Sequence, residues 1–364
     1  MDNRFGKKIK WRLATVVILG LFIFLLTWLA DYPATVERYY SKGFYPFICK
    51  ILHPVFNLLP FSFGDVLYAV VILYLIYALV MLIKLPIKRR FKEWGMLASG
   101  IVIGVEAGIV IFYLFWGMNY FRLPAATRLK LQDTVYSTDE LKTVANILID
   151  SANAARGRLN HTDLRQQNDS IYSSSIRAVV ALAHTSAEFY TYKPSIKPSS
   201  LSWLLNYIGT SGYYNPFTAE AQFNYQMPLH VRPFVACHEM SHQAGFGSED
   251  EANFAGFLAG IRSADRLLRY SAYYEGMQEC MYSLRATDTV AFKLLRAKIN
   301  PAVIIDLKAE RAYWQYYQGK LEVISSLFYD KFLKVNNQPQ GLLTYNQMVS
   351  LIMAMYRKSP AGTL

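Results

Sequence analysis

The chain has 364 residues, of which 53% are hydrophobic and only 18% charged, against about 25% charged residues in a typical soluble domain. Its formal net charge is +12, but the basic residues lie beside apolar segments, without a zinc finger, an RNA-binding signature or a basic recognition helix. This composition argues against a wholly soluble protein, and we expect a lipid bilayer as partner and no nucleic acid.

Three apolar runs near the N-terminus are long enough to cross a membrane. They cover about residues 13–30, 66–83 and 96–118, and roughly 20 helical residues span the hydrocarbon core. A cleaved signal peptide is the alternative for the first run, but no small-x-small cleavage site follows Trp28. We therefore predict that residues 1–118 form a membrane anchor with three transmembrane helices.

Basic residues predict the orientation of this anchor. They cluster at residues 4–12 and 84–92 and are sparse in the longer loop between the first two runs. The positive-inside rule places both clusters in the cytoplasm. We therefore predict a multi-pass protein of the bacterial inner (cytoplasmic) membrane, with residues 119–364 forming a periplasmic, extracytoplasmic domain.

The elements predicted after the third run are mostly helical. A capping box at residues 137–140 begins one helix, and a second is predicted at residues 174–190. Residues 193–200 are rich in Pro and Ser and predict a loop, whereas the aromatic stretch 212–225 predicts a short strand or hairpin. We expect a mainly α fold, with a mostly helical zincin-like domain that contains a small β-hairpin or short sheet.

Residues 238–242 have the sequence His-Glu-Met-Ser-His, which is an HExxH motif. Because residues four apart share one face of a helix, His238 and His242 can bind one zinc ion. Glu239 can then act as the general base on the zinc-bound water. Apolar neighbours predict a helix here, and Gly245 is a natural helix stop. Catalytic zinc takes three protein ligands, so we expect a third ligand on the next element.

Acids at the start of the next predicted helix are candidates for the third ligand. Ser248 is a suitable N-cap, and Glu249, Asp250 and Glu251 follow it. Glu249 and Asn253 resemble the E-x-x-x-D pattern of thermolysin-like enzymes, in which the Asp orients a zinc histidine. Glu251 has an alternative role as capping-box partner of Ser248. We prefer Glu249, keep Glu251 open, and expect Asn253 behind the zinc ligands.

Several stretches together resemble an uncharacterised family of bacterial membrane proteins, a domain of unknown function with an HExxH motif. The stretches are residues 45–46, 60–65, 116–120, 236–243 and 249–254, and the resemblance as a whole covers nearly the whole chain. The resemblance is most specific around the motif. It implies a membrane-bound zincin-like metallopeptidase of the thermolysin-like branch and implies no particular substrate.

We therefore predict a membrane-anchored zinc metalloprotease that hydrolyses peptide or protein substrates at the extracytoplasmic face. Residues 219–225 are the candidate strand along which a substrate would pair. Four side chains are candidates for oxyanion stabilisation, namely His230, Arg262, Tyr273 and Tyr274. The alternative is a non-catalytic, zinc-stabilised sensor or scaffold for envelope partners, although a purely structural site needs no general base.

Overall fold

The computed structural model describes residues 3–131, 134–339, 341 and 346–358. Its N-terminal part contains α1 (Asn3–Ala30), α2 (Pro33–Thr35), a π-helix (Val36–Phe44), α3 (Tyr45–Asn57), α4 (Phe63–Ile87) and α5 (Phe91–Phe115). Helices α1, α4 and α5 are each long and apolar enough to cross a bilayer. This confirms the three predicted apolar helices and a membrane protein.

The ends of these helices follow local signals that the apolar runs do not mark. Helix α4 begins before the predicted run because the Ser62 side chain accepts a hydrogen bond from the Asp65 amide at the N-terminus. Helix α5 ends at Phe115, three residues before the predicted end at residue 118. The backbone leaves the helical region at Trp116, with φ of −156°, and a 3-10 turn (Gly117–Phe121) follows.

The remainder of the described chain is again mostly helical. Its helices are α6 (Ala125–Arg128), α7 (Thr138–Gly157), α8 (Asn168–Ala183), α9 (Ser202–Tyr207), α10 (Arg232–Gln243), α11 (Glu249–Ile261), α12 (Arg266–Thr287), α13 (Thr289–Arg296), α14 (Pro301–Tyr317), α15 (Lys320–Val335) and α16 (Asn346–Lys358). The predicted capping box of Ser137 and Glu140 begins α7. These elements confirm the predicted mainly α fold.

The predicted helix at residues 174–190 is shifted. Helix α8 begins at Asn168, where Asp169 favours the first turn, and ends at Ala183. A separate 3-10 turn (Ala187–Phe189) follows, because Ser186 has extended backbone and its side chain accepts a hydrogen bond from the Glu188 amide. The boundary error therefore comes from a capping serine inside the predicted range.

One small sheet contains β1 (Ile196–Pro198), β2 (Gly212–Asn215) and β3 (Glu220–Phe223), in the order β1-β3-β2. The β2–β3 hairpin confirms the prediction for residues 212–225. The predicted loop at 193–200 is wrong in part, because β1 pairs in parallel with β3. Since β3 is paired on both sides, residues 219–225 offer no free edge to a substrate. The edge strand of the hairpin is β2.

Two hydrophobic clusters organise the molecule. The larger one joins α7, α8, α10, α11 and α12 around side chains such as Phe254 and Phe257. The smaller one joins the segment between α1 and α4 to the end of α5 and to β2, through Tyr45, Trp116 and Tyr214. The chain before residue 118 and the chain after it therefore share this second cluster, which is rich in aromatic side chains.

Candidate metal centre

Helix α10 carries the HExxH motif. Pro233 occupies its first turn, where backbone N–H groups have no acceptor within the helix, so proline loses no hydrogen bond there. Gly245 follows the last turn with φ of +81°, a conformation that favours glycine. One helical turn separates the two motif histidines, so that their Nε2 atoms lie 3.2 Å apart. The local sequence alone is sufficient to produce this pair.

The two acidic candidates on α11 lie in different places. A short turn after α10 brings the Glu249 carboxylate to the histidines, with Oε2 3.2 Å from Nε2 of His238 and Oε1 3.7 Å from Nε2 of His242. Glu251 instead accepts hydrogen bonds from the Ala125 amide at 2.6 Å and from Arg128 at 2.8 Å. The structure thus brings Glu249, and not Glu251, to the histidine pair.

Hydrogen bonds around the histidines orient one imidazole but not the other. His242 Nδ1 lies 2.7 Å from the Phe246 carbonyl oxygen and therefore donates to it, so that in the neutral imidazole, the form that binds a metal, Nε2 is the lone-pair atom. His238 Nδ1 is buried without a partner among the described residues. Asn253 lines the same cavity as His238, but no hydrogen bond joins them in the described structure. The orienting role expected for Asn253 stays a prediction.

Glu239 is buried between the histidines and the edge strand β2. Its ligand atom lies within 4.8 Å of those of both histidines, and its Oε2 has no partner among the residues described. A Cβ atom at Gly212 would come within 2.6 Å of Glu239 Oε1, so the carboxylate reaches the backbone of β2. Burial raises the pKa of Glu239 to about 7, against the opposing effect of the two imidazoles.

Tyr329 is a site residue that the sequence analysis missed. It lies on α15, and its hydroxyl donates a hydrogen bond of 2.6 Å to Glu249 Oε1. Burial raises the pKa of Glu249, but the two imidazoles outweigh burial and hold that pKa well below its usual range. No local pattern marks Tyr329, which is one of 27 tyrosines and follows Glu249 by 80 residues.

The four candidates for oxyanion stabilisation make other contacts. Tyr274 donates to Glu310 at 2.6 Å, and His230 packs edge-on against the Tyr274 ring. Tyr273 packs against Phe257. Arg262 donates to the Thr185 hydroxyl at an exposed position. No described contact joins any of the four to the histidine pair.

Side chains next to the membrane helices bind the C-terminal end of α10. The indole N–H of Trp116 donates to the His242 carbonyl at 2.8 Å, and the Tyr45 hydroxyl donates to that of Gln243 at 2.8 Å. Arg122 donates to the Gly245 carbonyl at 3.0 Å. These carbonyls lie in the last turn of α10 and just after it, where the regular helical hydrogen bonds stop. The three donors therefore connect the end of the motif helix to the chain next to the apolar helices.

The spacing of the ligand atoms of His238, His242 and Glu249 fits a zinc ion. Tetrahedral zinc with bonds of about 2.0–2.1 Å keeps its ligand atoms about 3.3 Å apart, close to the observed 3.2 and 3.7 Å. Two imidazoles and one carboxylate are also a ligand set that leaves one position open. A cavity of about 280 Å³ lies beside His238 and Glu249. The three residues therefore form a candidate metal centre.

The fold and this site define a membrane protein with three apolar N-terminal helices and a helical domain that contains a candidate metal centre. Residues 40–353 match the family described as "Protein of unknown function (DUF3810)". The chain belongs to this family, and the match covers the candidate metal centre and the aromatic side chains that bind it. No curated protein and no solved structure matches the chain.

Proposed function

We propose that the protein is a membrane-anchored zinc metallopeptidase that hydrolyses peptide bonds at the outer face of the membrane. The observation that supports this most is the convergence of His238, His242 and Glu249 beside the buried carboxylate of Glu239. When bound there, zinc polarises a peptide carbonyl and makes hydroxide available near neutral pH.

The side chains have separate roles in this proposal. Glu239 accepts a proton from the attacking water and passes it to the leaving amine. Its position supports this role, because the carboxylate is buried beside both histidines and its Oε2 has no partner among the described residues. Tyr329 orients the Glu249 carboxylate through its hydrogen bond. An extended substrate pairs with the edge strand β2, whose Gly212 lies against Glu239.

The proposal also places the site outside the cytoplasm. Trp116 at the end of α5 and Tyr45 between the first two spans both contact α10, so these parts of the chain lie on one side of the membrane. The basic residues 4–12 and 84–92 lie at the opposite ends of the spans. By the positive-inside rule, the metal centre then faces the periplasm or its equivalent.

The first experiment measures the zinc content of the protein purified in detergent. We expect one equivalent in the wild type, loss in His238→Ala and Glu249→Ala, and retention in the matched control Glu251→Ala. Its thermal unfolding is measured in parallel, because this control loses the contact with Arg128. A wild type without zinc under metal-replete conditions would overturn the proposal.

The second experiment measures hydrolysis of a quenched fluorescent peptide library in liposomes. Glu239→Gln should keep its zinc and lose about 10²–10⁴-fold in rate, as expected for a lost general base. Full activity in this variant would contradict the role of Glu239. Zinc binding without any hydrolysis by the wild type would instead favour the sensor or scaffold.

A further inference from the structure

The cavity beside the metal centre is lined by acids. The described lining contains His238 and the acids Glu249, Asp250, Glu275 and Glu310, without any described Lys or Arg. Apolar side chains also line the cavity, namely Val231, Phe234, Val235, Trp314 and Leu333. The cavity thus combines apolar side chains with carboxylates other than the candidate zinc ligand Glu249.

In the part of the chain that the structure describes, these carboxylates lack positively charged partners. Asp250 is only 1% exposed, and although it accepts a hydrogen bond from the Met348 amide, its Oδ2 has no partner among the described residues. Glu310 accepts hydrogen bonds from Tyr274 at 2.6 Å and from Gln278 at 3.4 Å, but neither Glu310 nor Glu275 forms an ion pair in the described structure. Burial and the neighbouring acids raise the pKa of Glu275. Asp250 is fully buried, and Glu275 and Glu310 are partly buried. Buried acids without a counter-charge are typical of functional sites.

An organic cation suits these carboxylates better than a second metal ion. Within the described ranges, three or more His, Cys, Asp or Glu ligand atoms converge at the HExxH motif, and no such group includes Glu275 or Glu310. Lys and Arg side chains combine an apolar stem with a cationic tip. We propose that Asp250, Glu275 and Glu310 bind the Lys or Arg side chain of a peptide substrate, whose stem lies along Phe234 and Trp314.

A binding assay tests this site without relying on hydrolysis. p-Aminobenzamidine is titrated into zinc-loaded Glu239→Gln protein and followed by its fluorescence. We expect Glu275→Gln and Glu310→Gln, each added to that background, to weaken binding by about 10–100-fold, as for a lost hydrogen bond to a charged group. Asp139→Asn, an exposed acid on α7, should leave binding unchanged. No binding, or equal binding of neutral p-aminobenzamide, would overturn the site.

The substrate part of this inference depends on the proposed function and is tested separately. The wild type should prefer N-terminally blocked peptides with Lys or Arg over those with norleucine, and Glu310→Gln should abolish the preference. Amidine binding without any peptide hydrolysis would retain the cation site and reject the peptidase. Hydrolysis without a cation preference would reject the substrate assignment alone. A preference for peptides with free over blocked N-termini would also overturn the substrate assignment, because the bound cation would then be the α-amino group of the peptide.

A second, independent observation concerns the outer face of α15. This face is exposed, up to 72% at Phe328. It carries five apolar side chains, Leu321, Ile324, Leu327, Phe328 and Val335, with the exposed Lys331 between Phe328 and Val335. On the opposite face Leu333 is buried, and Tyr329 bonds Glu249. Such an exposed apolar stripe is large for a surface in contact with water.

Helix α15 lies beside the outer end of the third span. The Phe332 ring is 5.9 Å from that of Phe112 in the last turn of α5, and the Tyr113 hydroxyl donates to Asn336 at 3.4 Å. The apolar face of α15 is therefore continuous with the lipid-facing surface of the span. We infer that α15 lies in the membrane interface with this face among the lipids.

Spin-label depth measurements in liposomes test this inference. The three native cysteines are buried, so a nitroxide attaches selectively to Phe328→Cys. We expect this label to collide more with oxygen, which partitions into lipid, than with a water-soluble nickel complex. A label at Val290→Cys, which is equally exposed on α13, should show the reverse. The same water-like ratio at both positions would overturn the inference.

Discussion

Glu249 and Glu251 point in different directions, because side chains two residues apart on a helix do not share a face. Glu249 lies against the two imidazoles, and Glu251 lies against Arg128 and the Ala125 amide. Both orientations are compatible with the same local sequence. The position of α6 distinguishes the two acids, because Arg128 on α6 pairs with Glu251.

At the same scale, Tyr329→Phe should weaken zinc binding. The change removes the hydroxyl that orients Glu249 Oε1 and leaves the ring in place. Losing a hydrogen bond that orients a metal-binding side chain typically lowers the metal affinity by about 10–100-fold. The affinity is measured by competition with a chromophoric chelator, and Tyr316→Phe, an exposed residue on α14, is the control. An unchanged affinity would exclude a positioning role for Tyr329.

Among the elements, β2 and α10 approach so closely that only glycine fits at residue 212. A Cβ atom there would lie 2.6 Å from Glu239 Oε1 and 2.7 Å from the Gln222 carbonyl oxygen. The edge strand β2 and the Glu239 side chain therefore determine each other's position. The HExxH spacing alone does not predict this dependence.

Gly212→Ala should displace Glu239 and reduce hydrolysis while zinc stays bound. Overpacking of this kind also costs roughly 1–3 kcal/mol of stability. Peptide hydrolysis, zinc content and thermal unfolding are measured together. The control is Gly157→Ala at the end of α7, where a Cβ would meet nothing within 4 Å. Normal hydrolysis in Gly212→Ala would show that β2 does not constrain the general base.

For the whole molecule, the sheet is fixed to the second span through one buried ion pair. Glu220 pairs with Lys197 at 2.8 Å and accepts the Gly64 amide at 2.7 Å, at the N-terminus of α4. Lys197 also donates to the Phe56 carbonyl at 2.6 Å. These contacts, together with the hydrogen bond from Trp116 at the end of α5 to His242 on α10, fix the candidate metal centre close to the apolar helices.

Glu220→Gln should destabilise the whole protein. Removing one partner of a buried pair leaves Lys197 without its counter-charge and typically costs about 3–5 kcal/mol. The thermal unfolding midpoint in detergent reports the loss. Glu93→Gln is the control, since its pair with Arg90 is exposed and exposed pairs contribute little. Equal midpoints for the two variants would contradict the structural role of the buried pair.

Stability should also depend on pH through Glu279. Burial raises its pKa to about 7 in the folded state, above the value of about 4.3 for an unfolded chain. The folded state then binds the Glu279 proton more tightly than the unfolded chain does. The contribution of Glu279 to the free energy of unfolding is therefore complete below about pH 4.3 and is lost as pH rises through 7. Glu279→Gln should flatten the fall in unfolding midpoint between pH 5 and about 8. An identical pH dependence in wild type and variant would reject this assignment.

The sequence by itself determined the features that depend on local spacing. The length of the apolar runs defines three spans, four-residue spacing pairs His238 with His242, and the capping box begins α7. The tertiary structure alone decided which acid faces the imidazoles, that Tyr329 joins it, and that β1 covers one edge of β3. The physical reason is that one helix positions its own side chains, whereas contacts between elements depend on how residues far apart in the chain pack.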